Sequence, residues 1–205
     1  MSSERVTTAT HAHGTETTLS GSVLEQRVTR LQPRERVSVG GEILFVAEGE
    51  GVLHVGGEEH RLAAETGAFA EGEVEATTDL ELVRVAVPAG EATTPRLVRY
   101  GAQPSESAGI GREFRLLAGC SQATQFVGVV PPGRAAMHSH PYDELAYIVE
   151  GDGVLHWDNG TSVPVGRGSC IHFPRLIEHS LENVGETPLR IMGVFHPAGS
   201  PAARV

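Results

Sequence analysis

Residues 137–151 read MHSHPYDELAYIVEG and place His138, His140 and Glu144 within one short stretch. Imidazole and carboxylate are the donors that hold first-row divalent metals. In an extended strand, residues i and i+2 point to the same face, so His138 and His140 aim both rings at one point. Glu144 follows the PYD interruption and opens an apolar run. A fourth donor must come from elsewhere. The candidate is His179, in GSCIHFPRLIEHSLEN just past Pro174.

The elements that must position these donors are short. Apolar runs such as EILFVAEGEG, GVLHVGG, LELVRVAVP, TQFVGVVPPG, ELAYIVEGDG, GVLHWDNG, GSCIHFP and LRIMGVFHP are cut by turn residues, with 25 Gly and 12 Pro in the chain. Runs of this length, rich in Val, Ile, Phe and Tyr, are strands and hairpins. Only SVLEQRVTRL and SAGIGREFRLL could hold a helical turn or two. The expected fold class is all-β, a sandwich or barrel.

The pattern repeats. EILFVAEGEGVLHVGG from Glu42 aligns with ELAYIVEGDGVLHWDNG from Glu144, and EGEGVLH (48–54) differs from EGDGVLH (150–156) at one position. The chain therefore reads as two copies of one β unit, with the boundary between Pro88 and Ile110. In this alignment Arg36 and Ser38 stand opposite His138 and His140. Glu42 survives, and no His matches His179.

Two spaced motifs in the second copy resemble those of the cupin superfamily. The first reads Gly133, His138, His140, Glu144, Gly151, with one residue fewer than usual after Gly133. The second reads Gly168, Pro174, Leu176 in place of a glycine, His179, Asn183. The resemblance implies two tandem cupin (double-stranded β-helix, jelly-roll-like) barrels. It divides the chain into a disordered tail over 1–20, a degenerate cupin without metal ligands over 21–95, a linker over 96–109 and a metal-binding cupin over 110–200. It also implies one divalent transition metal per chain on His138, His140, Glu144 and His179. Iron leads, with Mn, Ni, Zn, Co and Cu open because ligand type alone does not choose. A dioxygenase-type oxidoreductase acting on a small polar, metal-chelating molecule is the leading function. A metal-dependent isomerase, lyase or hydrolase and a non-catalytic binding cupin are the alternatives.

Composition narrows the partners. Net charge is -10 across 205 residues, and all 16 basic residues are Arg. An acidic chain is not expected to bind nucleic acid or an anionic membrane surface. The absence of Lys removes Schiff-base chemistry and a phosphate-binding P-loop. The first residues lack the apolar core of a signal peptide, and Cys120 and Cys170 read as reduced thiols, so a cytoplasmic setting is expected. A homodimer through strand edges is the expected assembly.

Other residues have plainer roles open to them. Tyr142, Arg134 and Arg175 flank the motifs and could touch an anionic substrate, although rim residues are commoner. His54 and His156 recur in both copies and read as architectural, while His172 and His196 read as strand or strand-end polar groups. His11, His13 and Glu16 mimic the ligand spacing by chance in a Thr-rich segment. Cys170 reads as a buried thiol that could line a pocket, and Trp157 as packing.

Overall fold

The computed structural model describes residues 6–10, 17–93, 97–109, 112–158 and 160–203. Among them the strands run β1 Thr7–Thr10, β2 Thr17–Ser20, β3 Glu25–Leu31, β4 Arg36–Glu48, β5 Glu50–Val55, β6 Glu58–Ala63, β7 Thr66–Ala76, β8 Leu80–Ala86 and β9 Leu97–Arg99. They continue with β10 Glu106–Gly109, β11 Arg112–Cys120, β12 Ala123–Val130, β13 Gly133–Arg134, β14 Asp143–Glu150, β15 Asp152–Trp157, β16 Thr161–Gly166, β17 Ser169–Phe173, β18 His179–Asn183 and β19 Leu189–His196. One 3-10 turn, Tyr100–Ala102, joins β9 to β10.

The fold is all-β, with two tandem barrels. The first is one sheet in the order β2-β3-β8-β4-β7-β5-β6, with β9 added on β7. The second splits into β1-β17-β14-β19-β12-β11-β10 and β13-β18-β15-β16. The repeat is visible in the register. Glu42 pairs with Ala70 and Ala86, as Glu144 pairs with Phe173 and Phe195.

β4 and β14 read as continuous apolar runs because both of their faces are covered. On β14, Ala146 and Ile148 face the interior of the second barrel, while Leu145, Tyr147 and Val149 face a core shared with the first. On β4, Leu44 and Val46 face the first barrel's interior, while Ile43, Phe45 and Ala47 join the shared core. The two barrels thus pack sheet against sheet. Two fully buried glutamines cross this interface reciprocally. Gln26 Nε2 donates to Ala146 O at 3.3 Å, and Gln125 Nε2 donates to Leu44 O at 3.0 Å. The register makes the two glutamines equivalent and the two acceptors equivalent, so the halves are related by a local pseudo-twofold. Tyr147 of the second barrel also donates its hydroxyl to Glu81 of the first. Burial alone would raise the Glu81 pKa, but the bonds from Tyr147 and Arg30 outweigh it and hold it low.

The structure differs from expectation at three places. The two stretches read as possibly helical are strands. β3 buries Gln26, Val28 and Leu31, and β11 buries Phe114 and Leu117, so strand pairing wins over modest helix propensity. The tail expected over 1–20 contains β1 and β2, whose threonines suit strands. β1 lies on the edge of β17, and β2 lies on β3. The linker expected over 96–109 contributes β9 to the first sheet and β10 to the second. His11, His13 and Glu16 lie outside the described residues. Cys120 and Cys170 are free and buried. No helix among the described residues is long and apolar enough to cross a membrane.

Candidate metal centre

Three of the four expected donors converge. His138 and His179 form a two-way backbone bridge, with N–H···O distances of 3.0 and 2.9 Å, which sets their side chains next to each other. Ring centroids lie 4.9 Å apart for His138–His140, 4.7 Å for His138–His179 and 5.2 Å for His140–His179. Each histidine offers one ligand nitrogen, and these atoms lie within 4.8 Å of one another. Glu144 is buried on the His140 side, with Oε2 3.6 Å from His140 Nε2.

The tautomers follow from the partners. His138 Nδ1 lies 3.0 Å from Ala136 O, His179 Nδ1 2.9 Å from Ile177 O, and His140 Nδ1 3.3 Å from Ala203 O. A carbonyl only accepts, so each Nδ1 carries the hydrogen and each Nε2 keeps its lone pair. Carbonyl-oriented imidazoles with inward Nε2 atoms are the arrangement that metal-ligating histidines use. The residues present therefore fit a divalent transition metal.

The electrostatics agree. Burial pushes the His179 pKa well down, and His138 and His140 push it further, so the ring is neutral and fit to ligate. Burial raises the Glu144 pKa to about 8, against the pull of Arg112 and with a further push from Asp143. A cation in the site would reverse that shift and hold the carboxylate ionised.

The cavity around the donors has a volume of about 60 Å³. Phe114, Phe126, Phe173, Phe195, Leu181 and Ile191 supply much of its apolar wall. Phe173 stacks on His179 with centroids 4.1 Å apart. Gly193 on β19 is required here, because a Cβ would overlap Phe126 and come within 2.9 Å of Glu144 Oε1.

Sequence reasoning missed Arg112. Its Nη1 lies 3.2 Å from His138 Nε2, and its side chain lines the cavity. It opens β11, one of the stretches that read as weakly helical, so no face could be assigned to it. The three side chains expected at the substrate rim do not line the cavity. Tyr142 stacks outside Phe195, 4.9 Å between centroids, and accepts a bond from Ser200 N. Arg134 and Arg175 are exposed. His172 pairs with Asp143 at 2.7 Å, His196 Nδ1 bonds Gln122 O at 2.9 Å, and His156 pairs with Glu182 at 2.8 Å, all away from the cavity. Leu176, standing where the motif expects glycine, keeps the glycine-like turn. Its φ is +64°, and its N–H bonds His140 O at 2.9 Å.

Residues 126–195 match the family model described as the cupin domain. The matched residues run from β12 to β19 and include the three histidines. The curated relatives match over this same kind of short span. An uncharacterized protein of Methanocaldococcus jannaschii is 35% identical over 71 residues, which is 34% of this chain and 56% of that protein. The oxalate-binding protein of Thermotoga maritima is 39% identical over 68 residues, 32% of this chain and 55% of that protein. The chain thus spans about half the length of the curated relatives it matches.

Solved structures extend the likeness to both barrels. The cupin 2 conserved barrel domain protein from Leptotrichia buccalis superposes with a TM-score of 0.63 at 12% identity, covering 94% of this chain and 89% of that one. AerE from Microcystis aeruginosa gives 0.71 at 11% identity, covering 88% and 96%. An oxalate decarboxylase variant of Bacillus subtilis gives 0.68 at 14% identity, covering 89% and 71%. At such identities the likeness shows the two-barrel fold alone.

Proposed function

We propose that the second barrel is a mononuclear divalent-metal centre, held by His138, His140 and His179 with Glu144 as fourth donor, and that it acts on a small metal-chelating carboxylate. The observation that carries this reading is the convergence of three Nε2 atoms whose Nδ1–H groups are all pinned to carbonyls. A bound ion would supply Lewis acidity and, with iron or manganese, one-electron chemistry. The protein's own groups do the rest. The apolar wall excludes water and strengthens charge interactions. Arg112 stands beside the donors and offers a guanidinium to a ligand carboxylate. Glu144 is the one carboxylate among the donors. Its negative charge would offset part of the charge of a bound cation.

Two observations favour a short dicarboxylate or keto acid. The cavity is small, about 60 Å³. The Thermotoga maritima relative is named for oxalate binding. A six-coordinate ion held by these four donors would have two positions left for ligand and dioxygen, which suits a dioxygenase. The same geometry serves redox-neutral cleavage of the carboxylate.

The test begins with elemental analysis of protein purified without added metal or chelator. Oxygen uptake and carbon dioxide release are then followed with oxalate and short keto acids. About one metal per chain with substrate-dependent oxygen uptake supports the oxygenase. Carbon dioxide release without oxygen uptake supports a lyase, and ligand binding without turnover supports a binding cupin. Protein that takes up no divalent metal defeats the proposal.

A further inference from the structure

The cavity is closed on one side by a segment that belongs to neither β-sheet. After β19 the chain turns back over the mouth. Pro201 is buried and lines the cavity, and the Ala203 carbonyl accepts the hydrogen of His140 Nδ1. The other two histidines are oriented by carbonyls two residues before them, Ala136 and Ile177, so their tautomers are fixed by their own local backbone. His140 instead has a carbonyl partner 63 residues away along the chain. The segment holds its path through few bonds. Gly199 N donates to Thr124 Oγ1 at 3.2 Å, Ser200 N to Tyr142 Oη at 3.3 Å, and Ala203 N closes a turn on Ser200 O at 2.9 Å. Gly199 lies so close to Tyr142 that a Cβ would overlap the ring.

We propose that residues 197–203 form a strap that sets two properties of the site at once: the size of ligand it admits, through Pro201, and its grip on the metal, through the Ala203 carbonyl on His140. The inference rests on the metal reading above. Its physical basis is that an outer partner fixing a ligand histidine affects metal affinity by about 10- to 100-fold. A segment held by a few partly exposed hydrogen bonds opens more readily than a strand. Opening the strap removes a wall of the cavity and the hydrogen-bond partner of one ligand together, so ligand entry and metal retention are coupled. Tyr142 anchors the strap and is a positioning residue in this scheme; it does not touch the cavity.

Cobalt(II) is the probe, because its visible absorption reports ligands entering its coordination sphere. Wild-type protein, Gly199→Ala and Pro201→Gly are loaded with cobalt and compared in two measurements. One is the rate of cobalt release to EDTA. The other is the absorption change with oxalate, malonate, succinate and glutarate. In wild type the response should fade as the diacid lengthens. Gly199→Ala forces the strap and the Tyr142 ring apart and should release cobalt about tenfold faster. Pro201→Gly should extend the response to longer diacids. Wild-type release rates and an unchanged diacid series in both variants would overturn the strap. If Gly199→Ala does not fold, an unchanged series in Pro201→Gly overturns it alone. Wild-type protein that takes up no cobalt overturns the metal reading itself, and the strap with it, so the two failures are told apart.

Discussion

Glu42 and Glu144 occupy the same place in the two barrels but meet different company. In the first barrel, Arg84 stands on β8 in the register position that Gly193 holds on β19. Its guanidinium binds Glu42 through two bonds, at 2.9 and 3.2 Å, and Ser38 O through a third at 2.9 Å, with both side chains buried. In the second barrel, that position has no side chain, and imidazole nitrogens gather beside the carboxylate instead. A buried carboxylate needs a positive partner. The first barrel supplies one covalently, as part of the chain, and so fills the space a metal would need.

The backbone differs too. Val39 pairs with Gly72 as His138 pairs with His179. The sheet register therefore sets Val39, not Arg36, where His138 stands, and the first barrel has three residues fewer between this position and its glutamate. β7 runs unbroken where the second barrel inserts residues 174–178 between β17 and β18. A Cβ at Gly72 would overlap His54 O, so no histidine fits there. The two barrels therefore differ at this place in backbone as well as in side chains.

The largest test of this contrast is ligand removal. His140→Ala or His179→Ala should abolish stoichiometric metal while the circular dichroism of the folded protein persists. Arg36→Ala and Ser38→Ala should leave metal content unchanged, read by elemental analysis.

Next in size is the first barrel's own ion pair. Arg84→Met leaves Glu42 buried without its cation and should cost about 3–5 kcal/mol in urea unfolding. Replacing both Glu42 and Arg84 with Leu should restore most of that. A double variant no more stable than Arg84→Met would show that the pair is not what the barrel needs.

The carboxylate of the second barrel should show itself in pH dependence. Its pKa is raised from 4.5 to about 8, so between those values the folded state holds a proton that the unfolded state releases. Stability of chelator-treated protein should then fall as pH rises through this window. Metal affinity should rise over the same window as the ion displaces that proton. Glu144→Gln should flatten both slopes in thermal melts and cobalt titrations.

The smallest effect belongs to Leu176. It is exposed and adopts a left-handed φ, so Leu176→Gly relieves strain with little burial lost. It should stabilise by about 1 kcal/mol, seen as a higher melting midpoint.

Much of this was legible in the chain. The strand runs, the duplication and the three histidines follow from period-2 patterns and from motif spacing, because strand geometry turns spacing directly into direction. What was hidden depended on register and on distant segments. Arg84 looks like one polar residue inside LELVRVA, and only strand pairing sets it opposite Leu44, beside Glu42. Arg112 needed its strand assigned before its side chain had a direction. Pro201 and Ala203 carry no motif, since a backbone carbonyl leaves no trace in residue type.

The crossed glutamines, Gln26 and Gln125, have a consequence for dilution. Two separate barrels joined by such a face would be held together by mass action and would drift apart as their concentration fell. Joined in one chain, they meet at a fixed effective concentration. Their association does not depend on expression level or on finding a partner. One barrel can then hold its neighbour in place through the shared face whatever stands at its own centre.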